Sequence, residues 1–258
     1  KGLSKEFNLT LIAVNHIEGH VLSPLLRNSK GNYYMKIEDI KFPWLSLVIS
    51  GGHTEIIWTK KIGEYKILGR TLDDAAGEAF DKVARLLDLG YPGGAVIEEL
   101  AKSGNPEEYQ LPRPMQRDKS YNFSYSGLKT SCLYKTKELK KTLQKDFVKT
   151  VPDFCASFQE AVVDSLLIKF KKAAKKIRPK AAFVGGGVSA NNRIRYKFRA
   201  TFKKMNIPVY FPHKKFCMDN AAMIGLAAYH KYKQKQFVNN IDNLDRRPNL
   251  PIADYQPD

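Results

Sequence analysis

The sequence predicts a mixed α/β chain, and three stretches carry that prediction. Residues 44–58, WLSLVISGGHTEIIW, are two apolar runs around a Ser50-Gly51-Gly52-His53-Thr54 turn, the pattern of a β-hairpin. Residues 181–193, AAFVGGGVSANNR, read as strand, glycine turn and helix start. Residues 153–176 read as a long helix, with Phe154, Phe158, Ala161, Val162 and Ser165 at core spacing and lysines gathered late, where they suit the helix dipole.

Composition bounds the rest. At 258 residues and 43% apolar content the chain can bury the core of one large or two medium domains. A net charge of +17 favours a polyanionic partner, nucleic acid before an anionic membrane, although the lysine bias of an AT-rich genome gives the same balance. Cys132, Cys155 and Cys217 stand far apart without a CxxC pair. That pattern gives neither a disulfide framework nor a zinc knuckle and suggests a reducing compartment. No apolar run approaches membrane-spanning length. The opening KGLSKEF is neither a signal peptide nor an initiator methionine, and it reads as the end of a helix.

In chain order, residues 9–14 (LTLIAV) read as a strand and residues 27–40 as a polar loop. Asp73-Asp74 reads as the cap of a helix over 75–89, with Ala76, Phe80, Val83 and Leu87 inward. Gly90-Tyr91-Pro92-Gly93-Gly94 is a turn before a helix over 96–102, and 103–122 is loop. Residues 123–129 bring hydroxyls, a glycine and a lysine to the start of another helical run. Residues 207–212 read as a strand, and 219–229 as a closely packing small-residue helix capped by Asp219.

Three features suggest chemistry. His16 and His20 are four apart in a helical run, so both imidazoles can face one divalent ion. The alternatives are two partly buried histidines, or a helix capped at Asn15 with His20 exposed. Glu18 lies roughly 200° round the helix from His16, away from any shared metal, which argues against a zincin-type metallopeptidase. The Gly51-Gly52 and Gly185-Gly186-Gly187 turns suit a phosphate on backbone amides, or are ordinary turns; GxGxxG with a later acid is missing, so a Rossmann site is disfavoured. Arg193, Arg195, Lys197 and Arg199, interleaved with Tyr196 and Phe198, suggest a basic face for nucleic acid.

Taken in order, NHIEGHVLSP (15–24), VISGGHT (48–54), LDDAAGEAFD (72–81), YPGG (91–94), FSYSGLKT (123–130), GGGVSANNR (185–193) and DNAAM (219–223) resemble the tRNA threonylcarbamoyladenosine transferase family of TsaD type, formerly called glycoprotease or O-sialoglycoprotein endopeptidase. FSYSGLKT is closer to its bacterial and organellar branch. The resemblance implies an actin/sugar-kinase/Hsp70-like (ASKHA) fold of two α/β lobes. Residues 1–43 with 219–258 would be the remainder of a first lobe, and 44–218 the second lobe with the nucleotide-binding glycine turns.

It further implies that His16, His20 and Asp219 bind one divalent ion, iron or zinc. The nucleotide contacts would map onto Val48, Ile49, Ser50, Gly51, Gly52, Asp81, Gly94, Glu98 and Asn191; at Glu98 many relatives carry Asp. The implied reaction moves threonylcarbamoyl from threonylcarbamoyl-adenylate to the exocyclic amine of the adenosine 3′ to the anticodon in tRNAs reading ANN codons. No general base stands out, His53 being one possibility. The implied partners are tRNA and, in the bacterial type, an inactive paralogue plus a small ATPase, in the cytoplasm (the mitochondrion in a eukaryote). The family's opening strands and helices find no counterpart upstream of Leu9, so an incomplete first lobe is expected, and with it a chain that alone neither pairs nor modifies tRNA. Competing readings are a metallopeptidase, an ATPase or sugar kinase of the same fold, and a non-catalytic tRNA-binding subunit.

Overall fold

The computed structural model describes residues 1–26, 40–248 and 250–253. Its frame is a five-stranded sheet of β1 (Trp44–Ile49), β2 (Thr54–Lys61), β3 (Glu64–Arg70), β4 (Ala181–Gly185) and β5 (Val209–Tyr210), in the order β3-β2-β1-β4-β5. β1, β2 and β3 are antiparallel neighbours, while β4 and β5 continue from β1 in parallel. β1 is buried along its whole length, which its unbroken apolar run requires of a strand covered on both faces.

Helices supply both covers. On one face Leu45, Leu47 and Ile49 meet the core of α3 (Ala76–Leu86), α4 (Gly93–Ala101), α5 (Ser126–Leu143), α6 (Phe147–Ile177) and α7 (Asn192–Lys203). On the other, Trp44, Val48 and Phe183 meet Ile17, Val21 and Leu22 of α2 (His16–Leu22) and Ala227 of α8 (Ala221–Lys233). A short α1 (Gly2–Glu6) precedes them.

Several expectations need correction. Residues 9–14 form no strand: none of the six is buried, and the Leu11 carbonyl accepts from Val238 N–H at 2.9 Å instead of joining a ladder. The strand expected over 207–212 shrinks to two residues, because Pro208 and Pro212 have no N–H to give. α3 stops at Leu86, where Asp88 turns left-handed (φ 57°) and Leu89 N–H closes back on Ala84. α6 begins earlier than expected, passing through Pro152 and burying Phe147 and Val151. The expected loop at 27–40 lies, apart from Ile40, outside the described residues.

Asp73 and Asp74 do not cap α3. Asp73 accepts from the amides of Tyr125 (2.7 Å) and Ser126 (3.3 Å) and from both serine hydroxyls beside them, so it fixes the start of α5. Asp74 pairs with Lys82 and Lys129, each at 2.7 Å. The first amide of α3 goes to Thr54 Oγ1 at 2.8 Å, which docks α3 onto the β1–β2 turn.

Candidate active site

α2 begins where Asn15 Oδ1 accepts from Ile17 N–H (2.9 Å) and Glu18 N–H (3.3 Å). The cap and the histidine pair therefore coexist, and His20 is buried rather than exposed. α8 is capped by Asn220, whose Oδ1 accepts from Met223 N–H at 2.9 Å. Asp219 is thus not the cap. Its Oδ1 stands 3.4 Å from His16 Nε2 and 3.1 Å from His20 Nε2, bringing the three predicted ligands together.

His20 tests whether a metal fits. Its side chain is 1% exposed, and neither ring nitrogen makes a hydrogen bond of acceptable geometry. With a carboxylate, which accepts but does not donate, beside Nε2, a buried neutral imidazole keeps a lone pair that an ion can take. Burial, with His16 adding repulsion, depresses its pKa to about 4, so the ring is neutral at physiological pH, as a metal ligand must be. Two imidazoles and a carboxylate suit iron or zinc. Glu18 points elsewhere: Tyr65 donates to its Oε1 at 2.9 Å and Lys231 stands 3.5 Å from Oε2.

The glycine turns stand at the carboxyl ends of β1 and β4, where α/β sheets bind ligands. Ser50 N–H bonds His53 O (2.8 Å), and Ser50 O accepts from Gly77 N–H (3.2 Å). Gly51 and Gly52 are exposed with open space where a Cβ would stand. Close approach is instead required at Gly77, where a Cβ would come within 2.6 Å of Ser50 O. Gly186 has φ 89° and lies against the Ile49 backbone, and Gly185 lies against the carbonyl of His20. These contacts join both turns to the histidine helix. Gly77 was missed as a site-building residue; its cue was its small size at the start of a helix facing the turn.

The other predicted residues are dispersed. Val48 and Ile49 are buried strand residues whose side chains face the core. Asp81 Oδ1 accepts from Gly93 N–H at 2.9 Å and so caps α4, while Gly94 leaves space beside Phe80. Asn191 caps α7 and donates to Gln159 at 2.6 Å. Glu98 accepts from Asn192 N–H (2.8 Å) and Nδ2 (2.6 Å), at the edge of a cavity of about 380 Å³ shared with Gln159, Arg193 and Tyr196. His16 and His53 line a different cavity. Burial and His16 depress the His53 pKa.

The basic face expected on α7 is largely engaged within the protein. Arg193 makes a two-bond pair with Glu160 (2.8 and 3.0 Å), and Lys197 bridges Glu160 and Asp164. Arg195 is buried on the carbonyls of Ser189 and Pro212, and Arg199 stacks over Phe211. Residues two apart on a helix point in opposing directions, so alternation in sequence does not make one face.

Comparison with known proteins agrees with this architecture. A solved full-length HypF, in its phosphate- and nucleotide-bound form, matches 90% of this chain and 38% of its own with TM-score 0.60 and 14% identity. HypF of T. kodakarensis matches 91% and 38%, with TM-score 0.60 and 12% identity. These likenesses concern the fold alone, and with the sheet order above they are consistent with an ASKHA-type fold. The tRNA N6-adenosine threonylcarbamoyltransferase of Thermosipho africanus is 47% identical over 254 residues, 98% of this chain and 72% of that protein. The enzyme of that name from Endomicrobium trichonymphae is 45% identical over 258 residues, 99% and 71% respectively. The family model TsaD, tRNA N6-adenosine threonylcarbamoyltransferase, matches residues 1–226, and the chain belongs to that family.

Proposed function

We propose that the protein transfers threonylcarbamoyl from threonylcarbamoyl-adenylate (threonylcarbamoyl-AMP) to the exocyclic amine of the adenosine 3′ to the anticodon in tRNAs reading ANN codons. Family membership makes it a tRNA-modifying transferase. The observation that carries the finer reading is the contact of Gly185 with His20, which seats a glycine turn directly on the histidine helix. A nucleotide on the turns would then present its acyl phosphate to the cluster.

His16, His20 and Asp219 would hold one iron or zinc ion. Bound there, the ion would supply Lewis-acid polarisation of the acyl carbonyl. The chain's own residues set up the rest. The exposed Ser50–Gly52 turn offers backbone to the nucleotide's phosphate. The Asp73 latch fixes Ser124 and Ser126 at the start of α5. His53, neutral and sharing a cavity with His16, would take the proton released by the attacking amine. The division into a lobe of 1–43 with 219–258 and a lobe of 44–218 belongs to this reading, α2 and the residue just before the cap of α8 supplying the ligands and the sheet supplying the turns. So do a cytoplasmic location and a complex with an inactive paralogue and a small ATPase. Among the described residues no helix is long and apolar enough to cross a membrane.

The metallopeptidase reading loses its base, since Glu18 is held by Tyr65 and Lys231. The test is nucleoside mass spectrometry on tRNA treated with the protein as it occurs with its subunits, the adenylate-forming enzyme being supplied. Threonylcarbamoyladenosine should form in tRNAs reading ANN codons, and the His16→Ala protein should make none. Peptide cleavage without nucleoside product, or tRNA binding without product, would replace this reading with one of its competitors.

A further inference from the structure

We propose that Arg246 and Arg247 form an anion subsite beside the histidine cluster, and that it takes the free carboxylate of the donor's amino-acid part. The inference rests on the reaction proposed above. Its basis is a cavity of about 590 Å³ lined by Asn15, His16 and His53 together with the exposed tail arginines Arg246 and Arg247.

The tail that brings these arginines is built into the site. Asn15 accepts from the first amides of α2 and, through Nδ2, donates to the carbonyls of Leu250 (2.9 Å) and Pro251 (3.2 Å). Val238 N–H is bonded to Leu11 O at 2.9 Å, just before that cap. The residue that starts the histidine helix thus also holds the tail.

Among the described residues neither guanidinium has a hydrogen bond, ion pair or aromatic contact. The nearest tail carboxylate, Asp245, accepts from the Arg246 backbone amide at 2.7 Å and is a single charge against two. The cavity is therefore electropositive, and a planar fork of donors suits a carboxylate better than a lone ammonium would.

Connectivity chooses the anion. The donor carries its phosphate on one side of the reacting carbonyl and its amino-acid carboxylate on the other. With the nucleotide on the glycine turns and the carbonyl at the cluster, the carboxylate extends past His16 into the cavity. Pairing with two guanidinium groups would favour a donor that carries the carboxylate, so the arginines would also select carbamoylated amino acids over donors lacking that group.

The test is calorimetry on the protein with its subunits, using N-carbamoyl-threonine, its carboxamide and AMP as separate probes. Arg246→Ala/Arg247→Ala should weaken the carboxylate probe roughly 10- to 100-fold and leave AMP unchanged. The carboxamide should bind weakly to both proteins. Arg246→Lys/Arg247→Lys, which keeps the charge and loses the fork, should fall between. Equal losses for carboxylate and carboxamide, no loss, or a loss confined to an RNA hairpin would overturn the assignment, the last by making the arginines phosphate contacts. Product formation by the unaltered protein separates the two readings: product without carboxylate preference defeats only the subsite, whereas carboxylate preference without product defeats only the reaction.

Discussion

The carbonyl oxygen of His20 lies 2.2 Å from where a Cβ on Gly185 would stand, too close for a side chain there. The histidine helix and β4 are in backbone contact there, with Ser23 Oγ bonded to the same carbonyl at 2.8 Å. Gly185→Ala should push α2 from the sheet, lower stability by about 1–3 kcal/mol and reduce metal content. Gly52→Ala, with open space around it, should leave both unchanged. Thermal unfolding and elemental analysis of the two proteins decide it; equal behaviour would mean the Gly185 contact is not what seats the helix.

Asp219 and Asn220 are neighbours with separate tasks. Asn220→Ala should cost about 1 kcal/mol of stability and keep the metal. Asp219→Ala should lose bound iron or zinc with little change in the metal-free melting temperature. A protein lacking Asp219 that retains full metal would remove it from the ligand set.

Local pattern made much of this legible. The i,i+4 histidines, the hairpin and the glycine turns follow from spacing, and the structure has them in place. What could not be read was how polar groups choose among partners. Asp73 precedes a helix, so capping looked like its task, yet a loop from fifty residues away offers it four donors. Asp219 looks like a cap from its place ahead of α8, but Asn220 beside it takes the Met223 amide. The basic run on α7 looked exposed because Glu160 and Asp164, one turn apart on α6, are not its sequence neighbours.

The Asp73 latch predicts an acid limit. Burial alone would raise its pKa, but hydrogen bonds from Ser124, the Tyr125 amide and Ser126 outweigh it and hold the carboxyl below its usual 3.8. With the folded value depressed, its contribution is complete above 3.8 and is lost as pH falls through the lower folded value. Urea midpoints between pH 6 and pH 3 should fall more steeply for the unaltered protein than for Asp73→Asn. Parallel curves would show that the latch carries no such linkage.

Charge used inside the fold differs from charge available to RNA. On α5, Lys137 and Lys141 share an exposed stripe with Tyr134, which is 67% exposed, and Lys145 follows just beyond. Reversing these three lysines should reduce the slope of log affinity for tRNA against log salt by about 3, with stability changing by less than about 0.5 kcal/mol. Arg193→Glu should instead destabilise, by setting a third carboxylate beside Glu160 and Asp164. A salt slope unaffected by the lysine reversal would send the search for the RNA surface elsewhere.

Glu98 reaches across from α4 to the first amide of α7, and both bonds from Asn192 fall on the same oxygen, Oε1. Its side chain is therefore already confined to one rotamer before any ligand arrives. A free glutamate gives up roughly 1.5–2 kcal/mol of rotamer entropy when it is immobilised. Here the helix end has imposed much of that order in advance, and in the proposed reaction Oε2 would meet a ligand hydroxyl with little further loss of freedom. The extra methylene relative to an aspartate spans the gap between two helices and turns a flexible residue into a rigid acceptor at the mouth of the cavity.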